Sequence, residues 1–166
     1  MLSLVHALLI VSSTPSLVVT LDGGKSFEIA LEAKGSPRTA ARIQELVRAK
    51  FYDGMRFHRV EPWVVQWGAP ASRKGVDDPG VGAGGSGKTM PFEQSATSFV
   101  RGVVGIASFG AKQGGDSQIF VLRKDATYLN GQYAVLGKVT KGMDVIDGVK
   151  RGDRIVSVRI RVGSRR

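Results

Sequence analysis

The chain has 166 residues, no cysteine, 22 glycines, and 24 Lys+Arg against 14 Asp+Glu, giving a net charge of +10. That length suits one compact domain that buries a core without staples, and the absence of cysteine excludes a disulfide framework and a thiolate zinc site. Apolar and charged fractions of 42% and 23% argue against wholesale disorder, while the basic balance is open between nucleic acid, an acidic surface and a soluble coat.

Residues Leu2 to Val11 form an apolar run of ten, followed by Ser12, Ser13, Thr14 and Pro15. The run is too short to span a bilayer. It fits the centre of a secretory signal over residues 1–14, although the usual preceding Lys or Arg is missing. An ordinary first strand or buried terminal segment is the alternative. Export to a periplasmic or extracellular space goes with the first reading, a cytoplasmic place with the second. His6, alone in this run, is expected to be incidental.

Leu17 to Leu21, then Asp22-Gly23-Gly24, then Phe27, Ile29 and Leu31 alternating with polar or small residues, predict a hairpin. Ser36-Pro37 predicts a helix start, with Ser as cap and Pro at the first helical position. Its apolar stripe is Ala40, Ile43, Leu46 and Val47, with Arg38, Arg42 and Arg48 largely outside. Short strands follow over 55–60, 63–66, 103–108, 119–122 and 133–139, with a short helix over 143–149. Residues 68–98 lack a period and read as long loops. Val156, Val158, Ile160 and Val162 alternate with Ser157, Arg159 and Arg161, which predicts a last strand with its arginines on the wet face. Residues 138–166 hold nine Lys+Arg against three Asp, so much of the positive charge falls there. Residues 164–166 make a short basic tail. Many short strands, few helices and dense turns indicate an all-β barrel or sandwich with helical caps.

Gly82 to Thr89 satisfies the phosphate-loop pattern G-x-x-x-x-G-K-[ST]. The mechanism needs a buried strand before the loop and a helix starting at its Lys. Val76 to Gly80 is no strand, and Pro91 turns Met90 away from helix. Nucleotide hydrolysis is therefore set aside.

Tyr52-Asp53-Gly54, Phe57-His58-Arg59-Val60, Pro62 and Val64-Val65-Gln66 together resemble the signature strand pair of the cyclophilin-type peptidyl-prolyl isomerases. The similarity continues through Gly102 to Ala107, Ser117-Gln118-Ile119-Phe120, Tyr128-Leu129-Asn130-Gly131 and Tyr133 to Val139. Gly82 to Gly87 resembles the glycine-rich loop of that family. The resemblance, spanning about 17–162, implies a mainly β fold over residues 15–163: a closed antiparallel eight-stranded barrel capped by two helices.

The implied activity, rotation of X–Pro bonds, makes sense of these residue types. Turning a peptide bond breaks amide resonance, against a barrier of about 18–20 kcal/mol. In the twisted state the prolyl nitrogen regains its lone pair, so a donor aimed there binds the transition state alone. Arginine carries several donors and stays charged. The resemblance places Arg59 in that role, with no metal or other cofactor. It implies a groove floored by Phe120 and walled by Trp63, Val64 and Leu129. Gln66 would bond the peptide backbone and help hold Arg59, Ala107 and Ser108 would receive residues before proline, and Tyr133 would close one side. Tyr128 takes a position where several relatives carry Trp, beside the same groove. His58 is expected to pack on its strand rather than to catalyse.

The stretch Pro62-Trp63-Val64-Val65-Gln66-Trp67-Gly68-Ala69-Pro70 departs from the family's usual Gln-Gly-Gly-Asp. With one deletion Trp63 takes the aromatic position and Gln66 the Gln; without it Trp67 falls at the Gln. Expected partners are proline-containing peptides and unfolded chains, bound by a monomer without a membrane span or nucleic acid. A proline-peptide-binding module with little catalysis is the alternative on the same fold. A nucleic-acid binder would want aromatics among its basic residues, and the basic C-terminal segment has none.

Overall fold

A computed structural model of the chain describes residues 14–163. The apolar run over 2–11 with its His6, and the tail 164–166, lie outside the described residues. The elements are β1 (Ser16–Leu21), β2 (Ser26–Leu31), α1 (Pro37–Arg48), β3 (Arg59–Val60), β4 (Val64–Trp67), β5 (Val103–Ile106), β6 (Ile119–Leu122), β7 (Val135–Lys141), α2 (Met143–Gly148) and β8 (Ile155–Arg161). Single 3-10 turns lie at Pro70–Arg73 and Thr127–Leu129. The eight strands pair antiparallel in the order β3-β4-β6-β5-β7-β2-β1-β8.

This sheet curls until its two edges meet. The strand foreseen over 55–60 joins the ladder only at Arg59 and Val60, because residues 54–57 turn toward the far edge. Gly54 N–H donates to the Ile155 carbonyl at 2.8 Å and Ile155 N–H to Met55 at 2.8 Å, with Arg56 bridged to Arg154. The seam between β3 and β8 is thus stitched by irregular backbone rather than by a continuous ladder, which satisfies edges that would otherwise stay open.

Alternation sorts the side chains of β4, β6, β5 and β7 to two buried faces. Val65, Trp67, Val104, Ile106, Ile119 and Val121 face inward and join Phe27, Ile29 and Phe57 in the barrel core. The Trp67 ring meets Phe27 of β2 at 5.8 Å, although β2 and β4 are not neighbours in the sheet. Val64, Val103, Phe120, Leu122 and Val135 face the other way, over Phe99 and Ala126.

Helix α1 buries the foreseen stripe, with Thr39 added, and packs on β8. Its start differs from expectation. Ser36 makes no side-chain cap, and its hydroxyl is buried without a hydrogen-bond partner. The N-terminal donors are met instead by Glu93, whose carboxylate accepts from the Arg38 N–H at 3.1 Å, the Thr39 N–H at 2.7 Å and the Thr39 hydroxyl at 2.8 Å. A charged acceptor answers more of the orphan donors of a helix N-terminus than a serine hydroxyl would.

The last strand also differs. Ile155 and Val158 are buried, whereas Val156 and Val162 are exposed. Leu21 pairs with Ile155 and Thr20 with Ser157, so Val156 is the extra residue of a bulge and the inward face shifts past it. Arg159 and Arg161 lie outside as expected, paired with Asp53 at 2.8 Å and Glu28 at 2.7 Å.

Candidate active site

The outward face of this sheet makes a hollow of about 180 Å³ lined by Arg59, Trp63, Val64, Gln66, Ala107, Ser108, Phe120, Leu129 and Tyr133. Nine of the ten residues singled out from the sequence meet here. The tenth, Tyr128, is 69% exposed and stands outside the lining, its ring 6.3 Å from that of Trp63.

Phe120 forms the floor. It lies opposite Gly105 in the β5–β6 ladder, and a Cβ on Gly105 would come within 2.3 Å of its ring. That glycine is what lets the ring lie across the strand. Phe99 stacks beneath at 5.8 Å and Tyr133 meets the ring edge-on at 6.0 Å.

The polar side is a chain of hydrogen bonds. Arg59 and Gln66 are ladder partners, and Arg59 Nη1 reaches Gln66 Oε1 at 3.4 Å. Gln66 Nε2 donates to Gln118 Oε1 at 2.8 Å, and Gln118 Nε2 donates to the carbonyls of Gly82 at 3.0 Å and Gly84 at 2.8 Å. Trp67, the other candidate for the glutamine position, is 1% exposed in the barrel core. Ala69, in the place of the family's acid, is buried as well.

Arg59 Nε donates to Glu61 Oε1 at 2.6 Å, Trp63 Nε1 donates to Glu61 Oε2 at 2.8 Å, and the guanidinium lies 5.3 Å from the Trp63 ring centroid. The bond from Arg59 holds the Glu61 carboxyl below the usual glutamate range, against a smaller opposing effect of burial. Burial lowers the pKa of His58, helped by the charges of Arg59 and Arg151 and opposed by a hydrogen bond with Gln118. Sequence reasoning missed Glu61 and the tethering role of Gln118. The short spacing of Arg59, Glu61 and Trp63 across the turn between β3 and β4 was a usable signal for the first, since a tight turn brings such neighbours together.

The glycine-rich loop does not cradle phosphate. Asp116 accepts from the N–H groups of Gly87 at 2.8 Å and Lys88 at 3.2 Å, and from the Ser86 hydroxyl. A carboxylate already occupies donors that an anion would need. With Thr89, Phe109, Gly114 and Gly115 this loop borders a second hollow of about 190 Å³ that shares Gln66, Ala107 and Ser108 with the first. A larger cavity of about 520 Å³ lies between the β1–β2 turn, α2 and residues 152–154, and none of the sequence-predicted site residues lines it.

Comparison with known proteins agrees with this geometry. Residues 17–162 match the family described as Cyclophilin type peptidyl-prolyl cis-trans isomerase/CLD. A Brucella abortus protein named probable peptidyl-prolyl cis-trans isomerase is 42% identical over 135 residues, 77% of this chain and 69% of that protein. Peptidyl-prolyl cis-trans isomerase B of Bacillus subtilis is 34% identical over 143 residues, 84% of this chain and 94% of that protein. The crystal structure of a Cryptosporidium parvum cyclophilin superposes with a TM-score of 0.75 at 23% identity, covering 91% of this chain and 98% of that one. The same protein, crystallised in the presence of the dipeptide Ala-Pro, superposes with a TM-score of 0.73 at 21% identity, covering 90% and 99%. Family match, relatives and fold agree: the chain belongs to the cyclophilin-type peptidyl-prolyl cis-trans isomerases.

Proposed function

We propose that the hollow beside Arg59 seats the proline ring of an X–Pro segment in a flexible or unfolded chain, and that Arg59 donates to the prolyl nitrogen as the bond twists. The observation that carries this reading is one charged donor, Arg59, at the edge of a hollow floored by the Phe120 ring and walled in part by Trp63, Val64 and Leu129. In the planar ground state the amide nitrogen has no lone pair to offer. At the twisted state it does, so the arginine's bond strengthens only there and lowers the barrier. The Ala-Pro dipeptide present with the Cryptosporidium relative supports a proline ligand.

Trp63, Val64, Leu129 and Tyr133 would wall the ring, Gln66 would bond the peptide backbone, and Ala107 and Ser108 would receive residues before proline. Tyr128 would meet the chain outside the hollow. Such bonds exchange slowly enough to limit folding, which gives the activity its use.

Cis/trans exchange of a short X–Pro peptide, measured by NMR, tests the reading. A charge-assisted hydrogen bond of about 1.5–3 kcal/mol implies that Arg59→Ala lowers kcat/KM by about one to two orders of magnitude. A wild-type chain no faster than buffer would overturn catalysis in favour of peptide binding alone, and equal rates for both would remove Arg59 from the mechanism.

A further inference from the structure

We propose that Glu61 is a positioning residue for the isomerisation, its two carboxylate oxygens holding the guanidinium of Arg59 and the indole of Trp63 as one wall of the groove. The inference rests on the assignment of Arg59 as the group that meets the prolyl nitrogen. Arg59 sits on a two-residue strand with its side chain 43% exposed, so nothing in the core fixes its rotamer. A free arginine has many rotamers open to it, and a donor that must meet one atom in one transition state cannot wander. The bond to Gln66, at 3.4 Å, is long and weak by itself. The bond to Glu61, at 2.6 Å, is the short one.

Glu61 can serve as an anchor because its own backbone is fixed. Its N–H donates to the Val64 carbonyl at 2.8 Å, closing a tight turn. Its carbonyl accepts from Arg123 Nη1 at 3.2 Å. The same Arg123 donates to Ile146 of α2 and to Val149, so the turn is tied to the cap of the barrel. From this base one oxygen takes Arg59 Nε and the other takes Trp63 Nε1. Arg59 Nη2 has no hydrogen-bond partner among the described residues and is left to act.

Two features separate this role from a merely structural one. Both members of the Arg59–Glu61 pair are about two-fifths exposed, 43% and 40%, so the pair adds little to folding. Both of its partners are also donors, and each takes a separate carboxylate oxygen. Glutamine has the same shape but turns an N–H₂ toward one of them.

A double-mutant cycle with Glu61→Gln and Arg59→Ala on the full chain tests it. Glu61→Gln is expected to lower kcat/KM about fivefold, through kcat rather than KM, with an unchanged melting temperature. On the Arg59→Ala background the same change is expected to leave kcat unaltered, because its effect on kcat acts through that arginine, and any remaining effect falls on KM through Trp63. Of the two indole N–H resonances in this two-tryptophan chain, that of Trp63 should move and that of Trp67 should not. Glu61→Asp, whose shorter arm cannot reach both donors, should fall between, and it carries the test if the glutamine variant does not fold. Wild-type kcat in Glu61→Gln, or an equal loss on both backgrounds, overturns the proposal. Wild-type kcat in Arg59→Ala overturns the Arg59 assignment itself, whatever Glu61 does.

Discussion

Strands β4 and β6 bury both faces, and the faces do different work. Toward the barrel, Val65, Trp67, Ile119 and Val121 complete a core contributed by every part of the sheet. On the other side, Val64, Phe120 and Leu122 rest on Phe99 and Ala126 and leave one ring, Phe120, at the bottom of an open hollow. The two clusters have similar composition. What separates them is coverage: the inner face meets other strands across the barrel, the outer one is covered only in part by irregular chain. Stability should reside on the first and ligand contact on the second.

The neighbours Ile119 and Phe120 offer the sharpest way to break that contrast. Ile119→Ala should destabilise by about 2–5 kcal/mol, the range for a filled core position, with kcat/KM unchanged where the variant is folded. Phe120→Ala should remove the floor of the hollow and lower kcat/KM at least about tenfold. Urea midpoints and peptide exchange rates on the same two samples decide it, and loss of activity in both would dissolve the distinction between faces.

Gly105→Ala sharpens it from the strand beneath. The new Cβ would lie 2.3 Å from the Phe120 ring, so the ring must swing out of place. An overpacking cost of about 1–3 kcal/mol is expected, together with a rise in KM larger than any change in kcat, since on the proposed reading the ring would meet proline but not its nitrogen. A KM equal to that of the wild type would mean that the floor is not where the ligand binds.

Much of this is legible in the sequence, for a definable reason. Strand period and turn glycines set the hairpin β1–β2, and the ordered blocks from Tyr52 to Val139 identified the family and with it the groove. Hydrophobicity could not assign faces, because Ile119 to Leu122 and Val103 to Ile106 are buried at every position. Long-range partners were also invisible. Glu93 caps a helix that starts 56 residues earlier, and Asp116 fills the donors of the glycine-rich loop 29 residues before it. The bulge at Val156 depends on how β8 registers against β1, which no local pattern states.

Glu93 gives a third separation, since α1 covers the barrel core and lines no part of the groove. Burial alone would raise the Glu93 pKa. Hydrogen bonds from Thr39 and Arg38 outweigh it and hold the carboxyl below the ordinary glutamate value of 4.5. A group depressed on folding stabilises fully above its unfolded pKa, and that contribution is lost as pH falls through the folded value. Glu93→Gln should therefore cost about 1–2 kcal/mol near neutral pH. The difference from the wild type should shrink in acid, with kcat/KM unaltered throughout. Urea midpoints at two pH values check this; a gap that persists in acid would show that the loss does not come from the charge of Glu93.

The smallest effect concerns His58, which immediately precedes β3 and does not line the hollow. Its Nδ1 is buried with no hydrogen-bond partner, so a proton placed there would face no acceptor. Burial accordingly lowers its pKa below 6.5, and the imidazole stays neutral at neutral pH. The role proposed for Arg59 needs no proton from it. Between about pH 8 and pH 6, the range in which a free histidine titrates, kcat/KM should stay flat, and His58→Gln should change it by less than about twofold. Stability should behave differently. The unfolded chain takes up the proton first, so wild-type stability declines as pH falls below 6.5, and His58→Gln should abolish that part of the slope. A rate that follows a titration near neutrality in the wild type, and loses it in His58→Gln, would move His58 from the packing of its strand into the chemistry of the groove.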